Sequence, residues 1–239
     1  MTIANISAPK ISIIIVTRNA ASTLQSCLNS IYSQRYSNVE IIIQDGASTD
    51  QTVDILKSNS HRLFCWKSEP DRGIYDAMNK AIDEVTGNWV IFLGADDELL
   101  DGFSDMALEL KEAHSIYYGN VIYKGMKCSG FMTPYKMVKT GMSHQSMFYS
   151  SSIFKSHRYN LNYKISADSI LNMECWSDKS IKWIYKDYMI ANYNHTGISS
   201  RDFDQLLKKN MSRLVFKHYG FIVWIRYKIR EFKKLYRKG

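Results

Sequence analysis

Residues 11–17, ISIIIVT, form a β-branched run without a charge, the pattern of a strand covered on both faces. Over 20–33 the period changes. Leu24, Cys27, Leu28 and Ile31 fall at helical spacing and predict an amphipathic helix. A second apolar run, VEIIIQD at 39–45, follows the loop YSN. The alternation continues with a helix from about Asp50, a strand at 63–67, a helix at 74–86 and the strand WVIFL at 89–93. Strands alternating with helices predict an α/β fold built on a doubly wound sheet, whose ligands collect at the carboxyl ends of the strands. Thr17, Asp45 and Asp96 each lie just past such an end and are expected to converge.

Beyond residue 115 the rhythm loosens. Two aromatic, β-branched segments, SIYYGNVIY and KWIYKDYMIANY, flank a helical stretch near 167–177. With only three prolines and no low-complexity tract, nothing divides the chain before about residue 200. From Arg201 the pattern reads as two helices broken near Gly220, giving one domain over 1–200 and a helical basic appendage over 201–239.

Composition narrows the class. At 239 residues, 45% hydrophobic and 23% charged, the chain suits a globular protein with a full core. The four cysteines form no CxxC pair and read as small buried hydrophobes in a reducing compartment. The N-terminus lacks the basic start and apolar core of a signal peptide, and no apolar segment approaches the roughly 20 residues that span a bilayer. A cytoplasmic protein is expected. The formal net charge of +8 gathers in the tail, in Lys217, Arg226, Lys228, Arg230, Lys233, Lys234, Arg237 and Lys238. There Trp224, Ile225, Ile229, Phe232 and Tyr236 make an apolar stripe with a basic border, which predicts a helix lying on an anionic membrane surface. The alternative is a helix docked on its own domain or on another subunit. A nucleic-acid partner is not expected, because the excess charge is terminal and no helix-turn-helix, RRM or zinc signature is present.

The chemistry concentrates in a few stretches. In GADDELLDG two adjacent carboxylates, Asp96 and Asp97, follow a buried strand; they repel one another unless a cation sits there, or one of them caps the next helix. QDGASTDQT puts Asp45 at a strand end beside a glycine, where a carboxylate can accept bonds from a base or a ribose. EPDRGIYDAMNKAI offers Arg72 and Lys80 to a diphosphate, with Asp71, Asp76 and Asn79 beside them. No GxGxxG follows the first strand, which disfavours a dinucleotide-dependent dehydrogenase.

Taken in order, ISIIIVTRN, IIIQDGASTDQT, EPDRGIYDAMNKAI and TGNWVIFLGADD resemble the front half of bacterial glycosyltransferase family 2 over residues 10–103. The resemblance implies the GT-A fold, a Rossmann-like mixed sheet, and the class of surface-polysaccharide and O-antigen biosynthesis enzymes. It implies that Thr17 and Asp45 hold the nucleotide, with Asp45 facing a uracil, and that Arg72, Asp76 and Asn79 line the nucleotide or donor-sugar side. The family's acidic DxD motif here has Gly94 in its first place. The metal role, for manganese or magnesium on the donor diphosphate, therefore passes to Asp96 with Asp97 as a helper. GMSHQSMFYSSSIFK resembles the segment in which His144 and Gln145 reach the donor sugar or acceptor. YKISADSILNMECW places Asp168 where inverting members keep their general base, the competing reading being a helix cap. His195, in NYNHTGISS, is a candidate further metal or phosphate ligand.

The expected function is metal-dependent, inverting transfer from a UDP-sugar to a glycan on a polyprenyl diphosphate, at the cytoplasmic face of the membrane. A nucleotide-sugar binder without transfer activity, or a basic protein that binds nucleic acid or membrane, remains the alternative.

Overall fold

The computed structural model describes residues 8–194 and 204–236, apart from the side chain of Leu235. Its first half is a parallel sheet of β1 (Ile11–Thr17), β2 (Val39–Asp45), β3 (Cys65–Ser68) and β4 (Trp89–Gly94), in the spatial order β3-β2-β1-β4. The helices α1 (Leu24–Tyr32), α2 (Thr52–Asn59) and α3 (Ile74–Ile82) make the crossovers. The chain winds outward from β1 to β3 and then returns to the other side of β1 with β4. That reversal opens a crevice at the carboxyl ends. Thr17 stands opposite Asp45, and Val16 opposite Gly94, so the expected strand ends do lie side by side.

Period-two alternation explains why these strands carry so little charge. Ile11, Ile13 and Ile15 enter one core with Leu24, Cys27, Leu28 and Ile31 of α1. Ile14, Ile42, Val90 and Phe92 enter the other with Tyr75, Met78, Ala81 and Ile82 of α3. Glu40 is the exception. It is buried yet accepts bonds from Ser12 Oγ (2.5 Å), Thr86 N (2.8 Å) and Gly87 N (3.1 Å), and pairs with Lys10. One carboxylate thereby ties β1, β2 and the entry to β4. The helix expected over 74–86 stops at Ile82 because the next three N–H groups bond to carbonyls three residues back, tightening the chain into a 3₁₀ turn.

The second half adds β5 (Glu98–Leu99), α4 (Gly102–Glu109), β6 (Ser115–Tyr123), β7 (Met126–Cys128), α5 (Pro134–Thr140), β8 (Met147–Ser150), α6 (Ala167–Ser177) and β9 (Lys182–Tyr193). The sheet continues as β4-β8-β6-β9-β5; β8 runs antiparallel to both neighbours, β6 and β9 run parallel, and β7 pairs with β6.

The last element, α7 (Gln205–Tyr236), breaks at Gly220, where φ is 81° and ψ 177°. Trp224 Nε1 donates to Ser212 Oγ at 3.0 Å, and its ring meets Phe216 at 5.8 Å. In a straight helix the Trp224–Ser212 separation would be about 18 Å, so the chain turns back on itself at Gly220. The half before the break docks on α6, burying Leu207 and Val215 and joining His218 Nδ1 to Ser177 Oγ at 2.8 Å. The half after it meets α5, with the Arg226 guanidinium 4.1 Å from the Tyr135 ring centroid. The break falls where the sequence places it; of the segment expected as an appendage over 201–239, the described residues 204–236 pack on the domain and, as described below, wall its cleft.

Candidate active site

At the carboxyl end of β4 the GADD stretch forms a tight turn in which Asp97 N donates to Gly94 O at 3.1 Å. The turn sends the two carboxylates to different places. Asp97 folds inward, 1% exposed. Its Oδ2 accepts from Gly94 N (3.1 Å) and Gln145 Nε2 (2.8 Å), and its Oδ1 from Asn194 N (2.8 Å). Burial pushes its carboxyl up from the ordinary range, opposed by those bonds and reinforced by Asp96. Asp96 is half-buried and lines the cleft. A side chain at Gly94 would meet Asp97 Oδ2 at 2.6 Å and Asp96 Oδ1 at 2.9 Å, so the turn that packs both acids needs glycine there. Neither aspartate caps a helix: β5 intervenes, and α4 begins at Gly102 with Asp101 before it.

The cleft beside Asp96 has a volume of about 1100 Å³ and also gathers Tyr75, His144, Gln145 and Asp168. Asp168 lies in the first turn of α6 and makes no capping bond across it. Its Oδ1 accepts from Tyr75 OH (3.1 Å) and Ser169 N (2.7 Å), while Oδ2 lies 3.8 Å from His144 Nδ1. Tyr75 OH also bonds to Ile165 O at 2.8 Å. Burial, and then the charge of Asp168, push the Tyr75 phenol far above its ordinary range, so it stays a donor at any working pH. Tyr75 was not singled out from the sequence, where it reads as one more large residue on an apolar helix face. Gln145 is buried, and its amide is turned to Asp97.

Thr17, Asp45, Arg72, Asp76 and Asn79 do not line this cleft. Asp45 is 0% exposed, and its carboxylate is directed at its own loop, accepting from Ser48 N (2.9 Å), Ser48 Oγ (2.5 Å) and Ser68 Oγ (2.6 Å). It therefore shapes the loop, where an outward-facing base contact was expected. Thr17 adjoins it, with a buried Oγ1 that has no hydrogen-bond partner among the described residues. Asn79 was expected at the donor, but its amide clamps the backbone of Tyr159, donating to O (2.9 Å) and accepting from N (3.0 Å). Arg72 and Asp76 satisfy each other, with Arg72 Nη2 2.9 Å from Asp76 Oδ1. Lys80 pairs with Glu69 at 2.8 Å, so both cations are held by carboxylates of their own segment. His195 lies outside the described residues.

The β1 and β2 loops are knitted together. Asn19 N donates to Ser48 Oγ (2.8 Å), Thr49 N donates to Asn19 Oδ1 (2.8 Å), and Gly46 lets Asp71 approach to where a Cβ would lie 2.5 Å from its Oδ2. The cleft's cations come from elsewhere: Lys136 and Lys139 of α5, Lys164, and Lys208, Arg230 and Lys234 of α7.

A crevice at the sheet's reversal point, a cleft carboxylate at the end of β4 and a second one on α6 define the class as GT-A. The family model described as Glycosyl transferase family 2 matches residues 12–176, and the chain belongs to that family. It is a glycosyltransferase. It is 36% identical over 203 residues, 80% of this chain and 79% of the relative, to a PGL/p-HBAD biosynthesis glycosyltransferase of Mycobacterium bovis. It is 33% identical over 109 residues, 45% of this chain and 43% of the relative, to WfaP of Escherichia coli, a UDP-Glc:alpha-D-GlcNAc-diphosphoundecaprenol beta-1,3-glucosyltransferase. Among solved structures, S. aureus TarS 1–349 in complex with UDP matches with a TM-score of 0.69 at 19% identity, over 87% of this chain and 65% of TarS. The mannosyltransferase PcManGT from Pyrobaculum calidifontis, in complex with GDP-Man and Mn2+, matches with a TM-score of 0.63 at 17% identity, over 90% and 64%. The chain thus spans just under two thirds of those two structures.

Proposed function

We propose that this glycosyltransferase inverts the anomeric centre of a UDP-sugar while transferring it to a lipid-linked glycan in surface polysaccharide synthesis. The observation that carries the reading is the meeting of Asp96, from the end of β4, with Asp168 and His144 in one cleft. Asp168 Oδ1 is occupied by Tyr75 and Ser169, leaving Oδ2 as the basic atom. Oδ2 takes the acceptor hydroxyl's proton as that oxygen attacks the anomeric carbon. The bond from that carbon to the diphosphate oxygen breaks, and UDP leaves with the electron pair. His144, beside Oδ2, orients the carboxylate and the incoming hydroxyl.

A divalent cation, manganese or magnesium, fits the donor set. Asp97 is committed to three N–H groups, and the described residues contain no cluster of three or more His, Cys, Asp or Glu of metal-site geometry. Asp96, which lines the cleft, is the carboxylate placed to offer a hard oxygen to the cation. Such ions are bound through one or two carboxylates, with phosphates and water completing the sphere. When bound, the ion neutralises charge on the leaving diphosphate. The Thr17 hydroxyl, which has no hydrogen-bond partner among the described residues, and the loop braced by Asp45 are the nucleoside side of the site. TarS in complex with UDP and the UDP-Glc donor in WfaP's name support uridine as the base.

WfaP's diphosphoundecaprenol acceptor supports a lipid-linked acceptor here, and the tail supports work at a membrane surface on the cytoplasmic side. No helix among the described residues is long and apolar enough to cross a membrane. The half of α7 after Gly220 instead exposes Phe221, Ile222, Ile225, Ile229, Phe232 and Tyr236 beside Arg226, Lys228 and Lys233. That composition suits an anionic bilayer, where each cation near the surface contributes about 1 kcal/mol.

Asp168→Asn should lower kcat by about 10²–10⁴-fold with UDP affinity retained, since general-base catalysis supplies that much. Asp96→Ala should lower both activity and metal-dependent UDP affinity. Transfer and donor-hydrolysis assays with UDP- and GDP-sugars check this; full activity in both variants contradicts the reading.

A further inference from the structure

The half of α7 after Gly220 has two faces with different neighbours. At about 100° per residue, Ile222, Ile225, Ile229, Phe232 and Tyr236 fall within an arc of about 80°. Tyr227, Arg230, Glu231 and Lys234 fall within an arc of about 100° centred on the opposite side. The first set is exposed or half-exposed, and the second lines the cleft that holds Asp96 and Asp168. The Arg226–Tyr135 contact and the Trp224–Ser212 bond fix the helix in that orientation.

The cleft-facing cations are not all neutralised by protein. Lys234 pairs with Glu231 at 2.7 Å, and Lys136 donates to the carbonyls of Ser129 and Phe131. Lys139, Lys164, Lys208 and Arg230 line the same cleft without a carboxylate at ion-pair distance among the described residues. Lys139, Lys164 and Lys208 are exposed and Arg230 is half-buried, and four like charges around one cleft attract an anion to it. The donor's diphosphate belongs between the β1–β2 loops and Asp96, at the sheet's edge of the cleft. These cations instead stand on α5, α7 and the segment leading into α6, the helix that carries Asp168. The apolar stripe lies across the same helix, about 10 Å away, a helix diameter.

We propose that Arg230, together with Lys139 and Lys208, binds the phosphate or diphosphate that joins the acceptor glycan to its lipid. This rests on the lipid-linked acceptor reading above. The helix then has one job on each face: the stripe sits on the bilayer, and the cations hold the anionic group of a lipid anchored there. The acceptor's sugar is thereby directed past Tyr227 toward Asp168. Arg230 suits this role because a guanidinium meets phosphate oxygens with two parallel bonds.

The test uses full-length protein saturated with UDP and magnesium, titrated with geranyl diphosphate and followed by calorimetry. Arg230→Ala and Lys139→Ala are compared with wild type, with Lys57→Ala on α2 as the control. Each cleft variant should weaken geranyl diphosphate binding by about tenfold, the size of one charge-assisted contact. UDP affinity and co-sedimentation with phosphatidylglycerol vesicles should stay at wild-type values, as should geranyl diphosphate binding in the control. Wild type that does not bind geranyl diphosphate, or variants that bind it unchanged, overturn the proposal. So does a parallel loss of UDP affinity, which assigns the cations to the donor. A parallel loss of vesicle binding also overturns it, by assigning them to bulk phospholipid headgroups. Failure of the lipid-linked acceptor reading looks different: wild type would transfer sugar equally well to an acceptor glycan that lacks the diphosphate and lipid.

Discussion

Asp96 and Asp97 are neighbours in the chain with opposite surroundings. Asp96 lines the cleft, whereas Asp97 is closed in by the N–H groups of Gly94, Gln145 and Asn194. In the mechanism proposed above the first holds the metal and the second braces the turn. Asp97→Asn keeps the shape but must point an NH₂ at one of those donors, which should cost about 1–3 kcal/mol of stability. Thermal unfolding should therefore fall, while metal-dependent UDP affinity of the folded protein stays within about threefold of wild type, less than 1 kcal/mol. A loss of UDP affinity as deep as that of Asp96→Ala would return Asp97 to the metal. Adjacent letters in a sequence do not tell which carboxylate turns inward, because that depends on Gln145 and Asn194, which arrive from distant segments. The same holds for Asp45 and Asn79. Their chemistry is visible in the sequence, but the partners that consume it, Ser68 and the Tyr159 backbone, are set by packing. Asp168 was legible through its segment's resemblance; Tyr75, which holds it, was not.

Among the elements, β1, β2 and β4 were legible nearly to the residue, because strands covered on both faces must be continuously apolar and leave a strong signal. The ends of α3 and β3 were less so, since a helix can tighten into 3₁₀ bonds without any change of residue type. Glu40 shows what the pattern hides: a charge inside an apolar strand that the fold uses as a rivet. Burial alone would raise its carboxyl, but Lys10, Ser12 and Thr86 outweigh that and hold it below the ordinary range. With the folded pKa lowered, its stabilisation is present above the unfolded value and is lost as pH falls through the folded one. Glu40→Gln should then cost about 2–4 kcal/mol at neutral pH, as expected for breaking a buried, bonded charge pair. The gap from wild type should narrow as pH drops below about 4, near the ordinary glutamate pKa. Chemical denaturation across pH checks both; a gap independent of pH would deny Glu40 this role.

At the scale of the molecule, the site is a composite. The sheet's reversal point supplies Asp96, α6 supplies Asp168, and the kinked tail closes the far wall with cations. The break at Gly220 could be read from the sequence, but the return of the helix over α5 and α6 could not, because Trp224–Ser212 and Arg226–Tyr135 are tertiary contacts. A tail that read as an appendage thus lines the cleft with one face, and its outward stripe is the surface proposed to meet the membrane.

Central to the proposed activity is a cation shared between Asp96 and the donor diphosphate. Calorimetric titration of UDP with and without manganese, in wild type and Asp96→Ala, tests it directly. Wild type should bind UDP about tenfold or more tightly with manganese, a coupling of ordinary size for two ligands that touch, and Asp96→Ala should lose that gain. Equal UDP affinity with and without manganese in wild type, or an undiminished gain in the variant, would contradict it.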